Sequence, residues 1–367
     1  MKITAITIYR YDIPLKAPIA ISLGTIEHAR NILVQIQTDE GVTGWGEGSP
    51  FWMIVGETQA SGLVAAEDMA TLLLGKNPLN IEGCLYTLTR YLAGHPTTRS
   101  AFDMAIYDLA AKVAQMPLYQ FLGGSKRQLV TDETIYINSP ERMANDALRI
   151  QNNGAEAIKV KLGTNLHDDI ERIKAIRQAI GLETPIRTDA NQSWNVVTAS
   201  AVLRVIGEWN VQYCEQPINR HDITGLRHIR QQSTIPIMAD ESLFSAADAI
   251  RLVREEAVDY FNIKLSKSGG IFEALNINAI AEAAGTPCMI GCMSESRLGL
   301  TANAHFASAR RNVCFYDLDA CFEHADDPVQ GGITYNGYRI ELPETPGIGA
   351  DIDPAFLKTL SSKTISA

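Results

Sequence analysis

A chain of 367 residues exceeds one ordinary domain of about 150 residues and falls short of three, although an α/β barrel alone takes about 250. Apolar residues at 46% and charged residues at 20% exclude disordered and fibrous classes, and this length can bury a core without covalent staples. The net charge of −10 comes with basic residues scattered singly or in pairs such as Lys126-Arg127, which argues against nucleic acid or an anionic membrane as partner.

The N-terminal stretch alternates polar and apolar residues, without the continuous apolar run of a signal peptide. No 18-residue apolar run occurs anywhere, so no membrane span is expected. The six cysteines form no CxxC pair and sit mostly in apolar runs, as free thiols of a reducing compartment would. A cytoplasmic protein is the expectation.

Alternation and β-branched content predict strands over 3–11 and 31–38, and Asp39-Glu40-Gly41 predicts a turn into a third strand over 42–48. Helical spacing covers 58–92, broken at Asn77-Pro78, and 100–114. After Gly123-Gly124 the pattern changes. Eight short apolar runs, over 130–137, 157–161, 184–189, 211–215, 236–240, 260–264, 287–292 and 313–317, alternate with helical stretches, which predicts parallel βα units. A doubly wound sheet gives the same alternation. No glycine-rich phosphate loop follows the first run, however, and eight strands close a barrel, so a (β/α) barrel is preferred. From Asp326 the text is again strand-like and proline-rich, and this tail is expected to fold back on the first segment.

The informative feature is what ends each run: Thr134, Lys161, Asp189, Glu215, Asp240, Lys264, Cys292 and Asp317, spaced 24 to 28 residues apart. One βα unit has about that length, so a closed barrel gathers these residues on its C-terminal rim, where barrel enzymes build active sites. Singly, each acid reads as a solvated strand end or a helix cap. Three converging carboxylates, Asp189, Glu215 and Asp240, repel one another unless a cation sits among them, and hard oxygen donors without histidine or thiolate select Mg²⁺.

Lys159 and Lys161 lie two apart and share a strand face, while Lys264 comes from the far side of the ring. A lysine base needs its pKa lowered from ~10.4 to ~7–8, and neighbouring positive charge is expected to supply that depression. Two lysines facing each other across a metal-held carboxylate suit removal of an α-proton on one face and its return on the other, a racemisation or epimerisation. None of the seven histidines ends a strand run, which argues against a histidine base.

The KxK pair, the Asp/Glu/Asp trio at these spacings and the later lysine resemble the muconate-lactonizing-enzyme subgroup of the enolase superfamily. Asp317-Leu318-Asp319 after the last strand resembles the DxD of the dipeptide epimerases. The resemblance implies an N-terminal α+β capping domain over 1–122, a (β/α) barrel over 123–325, and a C-terminal segment over 326–367 returning to the cap. It implies Mg²⁺ on Asp189, Glu215 and Asp240, and two-base epimerisation through an enediolate by Lys161 and Lys264. Thr134 and Lys159 would contact the substrate carboxylate, the Cys292 region the peptide backbone, and Asp317 with Asp319 the α-ammonium. Asn191 and Glu241 would support the ligands.

In acid-specific members an arginine in the loop after the first strand pairs with a glutamate side chain, and here Gly24 takes that place. With the apolar lid candidate Phe51-Trp52-Met53-Ile54-Val55, and Ser294 just past Cys292, this predicts a pocket for an uncharged second residue. The expected substrate is a dipeptide with a small first residue, D-Ala-D-Ala being a candidate. An Ala-Glu epimerase is the alternative. So are o-succinylbenzoate synthase, N-acylamino acid racemase and muconate cycloisomerase chemistry on the same site, and, in a different class, a non-catalytic Mg²⁺- or peptide-binding barrel. The expected partner is the dipeptide alone, with homo-oligomerisation left open.

Overall fold

A computed structural model describes residues 1–366 and contains two main sheets. The first is antiparallel: Ile3–Ile21, Gly24–Thr38 and Thr43–Gly48 follow one another, and Ser362–Ser366 from the other end of the chain lies against Ile3–Ile21. Its first two strands run well past the predicted stretches and meet at a tight turn, Ser22-Leu23. Proline breaks a regular ladder by removing an amide donor. Here one irregularity between the pairs Pro14↔His28 and Ile19↔Ile26 absorbs both Pro14 and Pro18, so the hairpin continues to its tip.

Helices Gln59–Leu73 and Pro96–Val113 pack on this sheet and Ile81–Tyr91 packs on those two helices, with the predicted break falling between Leu73 and Ile81. Helix Pro96–Val113 is buried on nearly every side. It lies directly on strand Thr43–Gly48, where a Cβ at Gly46 would stand 2.0 Å from the Ala101 carbonyl oxygen, so only glycine allows the contact.

The second sheet contains eight parallel strands in sequence order: Glu133–Ile135, Ile158–Lys161, Ile186–Asp189, Val211–Glu215, Ile237–Ala239, Tyr260–Ile263, Cys288–Ile290 and Val313–Tyr316. It curls until its ends meet, where the Asp132 N–H donates to Tyr316 O (3.3 Å) and the Leu318 N–H to Thr131 Oγ1 (2.8 Å). Helices fill the crossovers, and their starts are set by side-chain caps from Ser139, Asn165, Asn195, Asp222, Ser245 and Ser296. The architecture is a (β/α) barrel joined to an N-terminal α+β unit.

The barrel interior is filled beneath the rim. Arg187 lies over the rings of Tyr213 (5.7 Å) and Phe315 (5.4 Å) and pairs with Asp132 at 2.8 Å, a buried charge that is both stacked and neutralised. In the tail, Arg339–Glu341 pairs with Leu129–Val130 beside the barrel, before the chain crosses to the first sheet. Among the described residues no helix is long and apolar enough to cross a membrane.

Candidate active site

The tip of the first hairpin reaches across to the barrel rim. The Ile137 N–H donates to Ala20 O (3.0 Å) and Ser22 Oγ to Ala190 O (3.2 Å). Between hairpin and rim lies a cavity. Ile19, Ile21, Ile26, Phe51 and Ile54 wall it from the N-terminal unit, and Thr134, Tyr136, Lys159, Lys161, Asn191, Lys264, Cys292, Met293, Asp317, Asp319 and Ala320 wall it from the barrel. All eight predicted strand-end residues reach the rim. Five of them, Thr134, Lys161, Lys264, Cys292 and Asp317, line the cavity together with Lys159, and Asp189, Glu215 and Asp240 lie directly against its lysines.

Asp189, Glu215 and Asp240 are fully buried at the ends of the third, fourth and fifth strands. Lys161 Nζ donates to Asp189 Oδ2 (2.6 Å) and Asn191 Oδ1 (3.2 Å). Lys264 Nζ donates to Asp240 Oδ2 (2.9 Å) and lies 4.0 Å from Glu215 Oε1. Lys159 stands between the groups, 2.6 Å from Asp317 Oδ2, 2.9 Å from Glu215 Oε2 and 3.4 Å from Asp189 Oδ2. Asn191 also holds Glu241, donating from Nδ2 to Oε1 at 3.2 Å.

Burial alone would push Asp189 and Asp240 up. Lys161 and Lys159 around the first, and Lys264 and Lys267 around the second, hold both below the usual carboxylate range. Burial and the charge of Asp189 instead push Glu215 up to about 7. Lys159 and Lys264 do not show the expected depression. Burial lowers Lys159 and Lys264, but Asp317 with Glu215 for the first, and Asp240 with Glu215 for the second, raise them above the ordinary lysine value. The like charge of a neighbouring lysine is outweighed, because the ring gathers more acids than bases.

That excess bears on Mg²⁺. Six buried carboxyl groups (Asp189, Glu215, Asp240, Glu241, Asp317, Asp319) share the region with four lysines (Lys159, Lys161, Lys264, Lys267), which leaves two negative charges unmatched when all are ionised. Glu215 Oε2, although close to Lys159, accepts no hydrogen bond. A hard dication among Asp189, Glu215 and Asp240 fits both the charge and this orphaned oxygen. A second cluster, Cys292, Asp317 and Asp319, brings one donor atom from each residue within 4.8 Å of the others. Burial and the two aspartates push the Cys292 thiol far up, so this cluster offers a protonated sulfur and suits an ammonium better than a hard metal. Thr134 enters it through its backbone, whose N–H donates to Asp319 Oδ2 at 2.7 Å.

Of the residues expected to set specificity, Phe51 lines the cavity. Gly24 and Met53 lie behind the wall, the Met53 sulfur standing 3.0 Å from where a Gly24 Cβ would be. Trp52 stacks on the outer side of Phe51, centroids 5.9 Å apart, and is 39% exposed. Ser294 ties the barrel to the N-terminal unit, its N–H donating to Ser49 Oγ (3.1 Å) and its carbonyl accepting from Asn31 Nδ2 (2.8 Å).

Sequence reasoning missed Lys267, whose Nζ donates to Asp240 Oδ1 (2.6 Å), and Asn262, whose Nδ2 donates to Glu215 Oε1 (2.7 Å). Lys267 carried a usable signal, since it follows Lys264 by one helical turn in an apolar segment. The apolar hairpin wall was also missed, although Ile19 and Ile21 alternate as one strand face must.

Fold and site together define a barrel enzyme with an acid-and-lysine rim under a two-part cover. Residues 3–123 match the mandelate racemase / muconate lactonizing enzyme N-terminal domain, and residues 142–356 match the enolase C-terminal domain-like family. The chain belongs to the mandelate racemase / muconate lactonizing enzyme family of the enolase superfamily. It is similar to the D-Ala-D/L-Ala epimerase of Cytophaga hutchinsonii, 44% identical with 100% of both chains covered. A crystal structure of the dipeptide epimerase from that organism with Mg and D-Ala-L-Val superposes with a TM-score of 0.98 over 100% of both chains. The hydrophobic dipeptide epimerase of Enterococcus faecalis is 43% identical over 95% of this chain and 99% of its own. The dipeptide epimerase from that organism, crystallised with Mg and L-Leu-L-Tyr, gives a TM-score of 0.93, covering 96% of this chain and 100% of the other. The L-Ala-D/L-Glu epimerase of Bacillus subtilis is 39% identical over 98% of this chain and 99% of its own.

Proposed function

We propose that the chain is a Mg²⁺-dependent dipeptide epimerase that inverts the second residue of a dipeptide with a small first and an uncharged second residue. The observation that carries this is the ring itself: Lys161 on the second strand and Lys264 after the sixth stand four strands apart, on opposite sides of one cavity. One lysine takes the α-proton of the second residue from one face, and the other delivers a proton to the opposite face, leaving the peptide bond and carboxylate unchanged. Mg²⁺ held by Asp189, Glu215 and Asp240 supplies positive charge to the substrate carboxylate as the proton leaves. Lys159 and Thr134 orient that carboxylate, the Cys292 segment meets the peptide backbone, and Asp317 with Asp319 receives the α-ammonium.

Support for an uncharged second residue comes from the wall of Ile19, Ile21, Ile26, Phe51 and Ile54, which brings no cation to the cavity. A glutamate side chain there would lose its hydration without a partner. The two most similar relatives described above act on D-Ala-D/L-Ala and on hydrophobic dipeptides, in line with this reading.

The test is a dipeptide library incubated in D₂O with Mg²⁺-loaded enzyme, scored for a one-unit mass gain at the second residue. Exchange with Ala-Ala or Ala-Val well above Ala-Glu is expected. Absence of exchange with every dipeptide refutes the epimerase reading, and faster turnover of Ala-Glu refutes the assigned pocket.

A further inference from the structure

The strap between Ser49 and Glu57, which carries Phe51 and Ile54 into the cavity, is pinned firmly at both ends. Ser49 is tied to the barrel, its N–H donating to Ser266 Oγ (3.2 Å) and its Oγ accepting from the Ser294 N–H (3.1 Å). Glu57 caps the central helix Pro96–Val113, accepting from the N–H groups of Thr97 (2.7 Å) and Thr98 (3.2 Å). Between these anchors the strap makes one turn of helix, Trp52–Val55, ended by Gly56 at φ 77°.

A helix of one turn leaves its last carbonyls without partners. Among the described residues, only one hydrogen bond joins residues 50–56 to the barrel: Arg220 Nη1 donates to Ile54 O at 2.8 Å. The side chain of Ile54 walls the cavity while its carbonyl takes this bond, so the contact fixes a surface that substrate meets.

Arg220 is itself held rigidly. Its N–H donates to Gln192 Oε1 (3.1 Å), and its carbonyl accepts from Ser242 Oγ (3.0 Å). Ser242 in turn accepts from Gln216 Nε2 (2.9 Å), and the Gln216 side-chain oxygen accepts from the N–H groups of Asp240 and Ser242, both at 3.0 Å. Gln216 follows Glu215 directly. The guanidinium lies 5.6 Å from the Phe244 ring centroid, and Lys267, which holds Asp240, lies 5.7 Å from the same ring.

We propose that Arg220 is a positioning residue that latches the strap over the substrate cavity and locks it to the strand ends carrying Glu215 and Asp240. The dipeptide assay below rests on the epimerase reading; the strap measurement does not. The latch places Phe51 and Ile54 against the side chain of the second residue and keeps water from it, so its loss weakens binding of apolar dipeptides more than it slows the proton transfers.

The test is Arg220→Met, which keeps the stem packed on Phe244 and removes every donor, beside Arg220→Lys, which retains a single donor. Amide hydrogen exchange of the substrate-free protein is followed by mass spectrometry on peptides covering 50–56. Exchange there accelerates about tenfold or more in Arg220→Met, the scale of one lost charge-assisted hydrogen bond, with partial recovery in Arg220→Lys and no change in helix Pro96–Val113. KM for Ala-Val rises by about the same factor, with kcat lowered less.

Unchanged exchange over 50–56 overturns the latch, as does a fall in kcat with KM unaltered. If no dipeptide is turned over by the unmodified enzyme, the epimerase reading fails while the exchange measurement still decides the latch. If Arg220→Met does not fold, the comparison passes to Arg220→Lys, and native exchange over 50–56 in that variant overturns the proposal.

Discussion

Replacing Lys264 by alanine separates the two halves of the proposed proton transfer. Lys264 is 3% exposed and its ammonium donates to Asp240 Oδ2 at 2.9 Å. Breaking a buried ion pair costs about 3–5 kcal/mol when the partner is left alone. Asp240 is not left alone: Lys267 stays on Oδ1 at 2.6 Å and also holds the Asp240 carbonyl at 2.6 Å. The cost in stability is therefore the smaller one of an imperfectly satisfied group, about 1–3 kcal/mol, and the variant should fold. The effect on turnover is larger. A positioned acid or base contributes about 10²–10⁴-fold, and an epimerase that lacks one of its two proton carriers cannot complete the inversion. The assay is proton NMR of Ala-Val in D₂O, following the α-proton of each epimer separately. Lys264→Ala should abolish interconversion and retain exchange of one epimer only, and Lys161→Ala should retain exchange of the other. Interconversion above a tenth of the native rate in either variant, or loss of exchange from the same epimer in both, would refute the two-sided arrangement.

Asp317→Asn should raise KM for dipeptides more than for their N-acylated analogues, because only the former bring an ammonium to Asp317 and Asp319. Chelation should abolish turnover and Mg²⁺ should restore it, with a stabilisation of about 2.7 kcal/mol at a hundredfold excess over Kd in thermal unfolding. Glu215→Gln should remove that stabilisation. His305 accepts from the Tyr119 N–H (3.2 Å) and contacts Ile348 O (3.0 Å), and burial lowers its pKa from 6.5 to about 4. The unfolded chain takes up this proton near pH 6.5 while the folded chain refuses it until about pH 4, so stability present above 6.5 is lost as the pH falls through that window. The loss is about 3 kcal/mol, readable as a falling urea-unfolding free energy between pH 7 and 4.5, and His305→Asn should flatten the slope.

The ring of functional groups was legible because a strand-and-helix unit has nearly constant length, so residues 24 to 28 apart return to the same rim. The direction of the lysine shifts was not. It depends on a sum over six carboxyl groups contributed by four different strand ends, and only the closed ring brings that sum to one place. Lys267 was hidden for a related reason: its partner, Asp240, stands 27 positions earlier in the chain, and an unpaired lysine in an apolar segment has no meaning until that acid is beside it. The hairpin tip was hidden by its prolines. Pro14 and Pro18 argue locally against a strand, but a long antiparallel partner pairs on either side of one irregularity and carries the ribbon to the cavity.

Lys159 shows how these pieces bear on substrate choice. A single ammonium touches Asp189 and Glu215 on one side and Asp317 on the other. It thus shares its charge between the acids assigned to the metal and one of the acids assigned to the substrate's amino end. In the proposed binding mode a dipeptide would bring an ammonium to Asp317 and Asp319, and that would free Lys159 to face the incoming carboxylate. An N-acylated amino acid brings the carboxylate alone. Lys159 would then have to serve the carboxylate while Asp317 stayed buried without a full counter-charge, an arrangement costing several kcal/mol in a desolvated site. The proposed preference for a free amino group would therefore be set by the position of Lys159 as much as by the two aspartates. Lys159→Met should narrow the gap between dipeptides and N-acylated analogues, while lowering turnover of both.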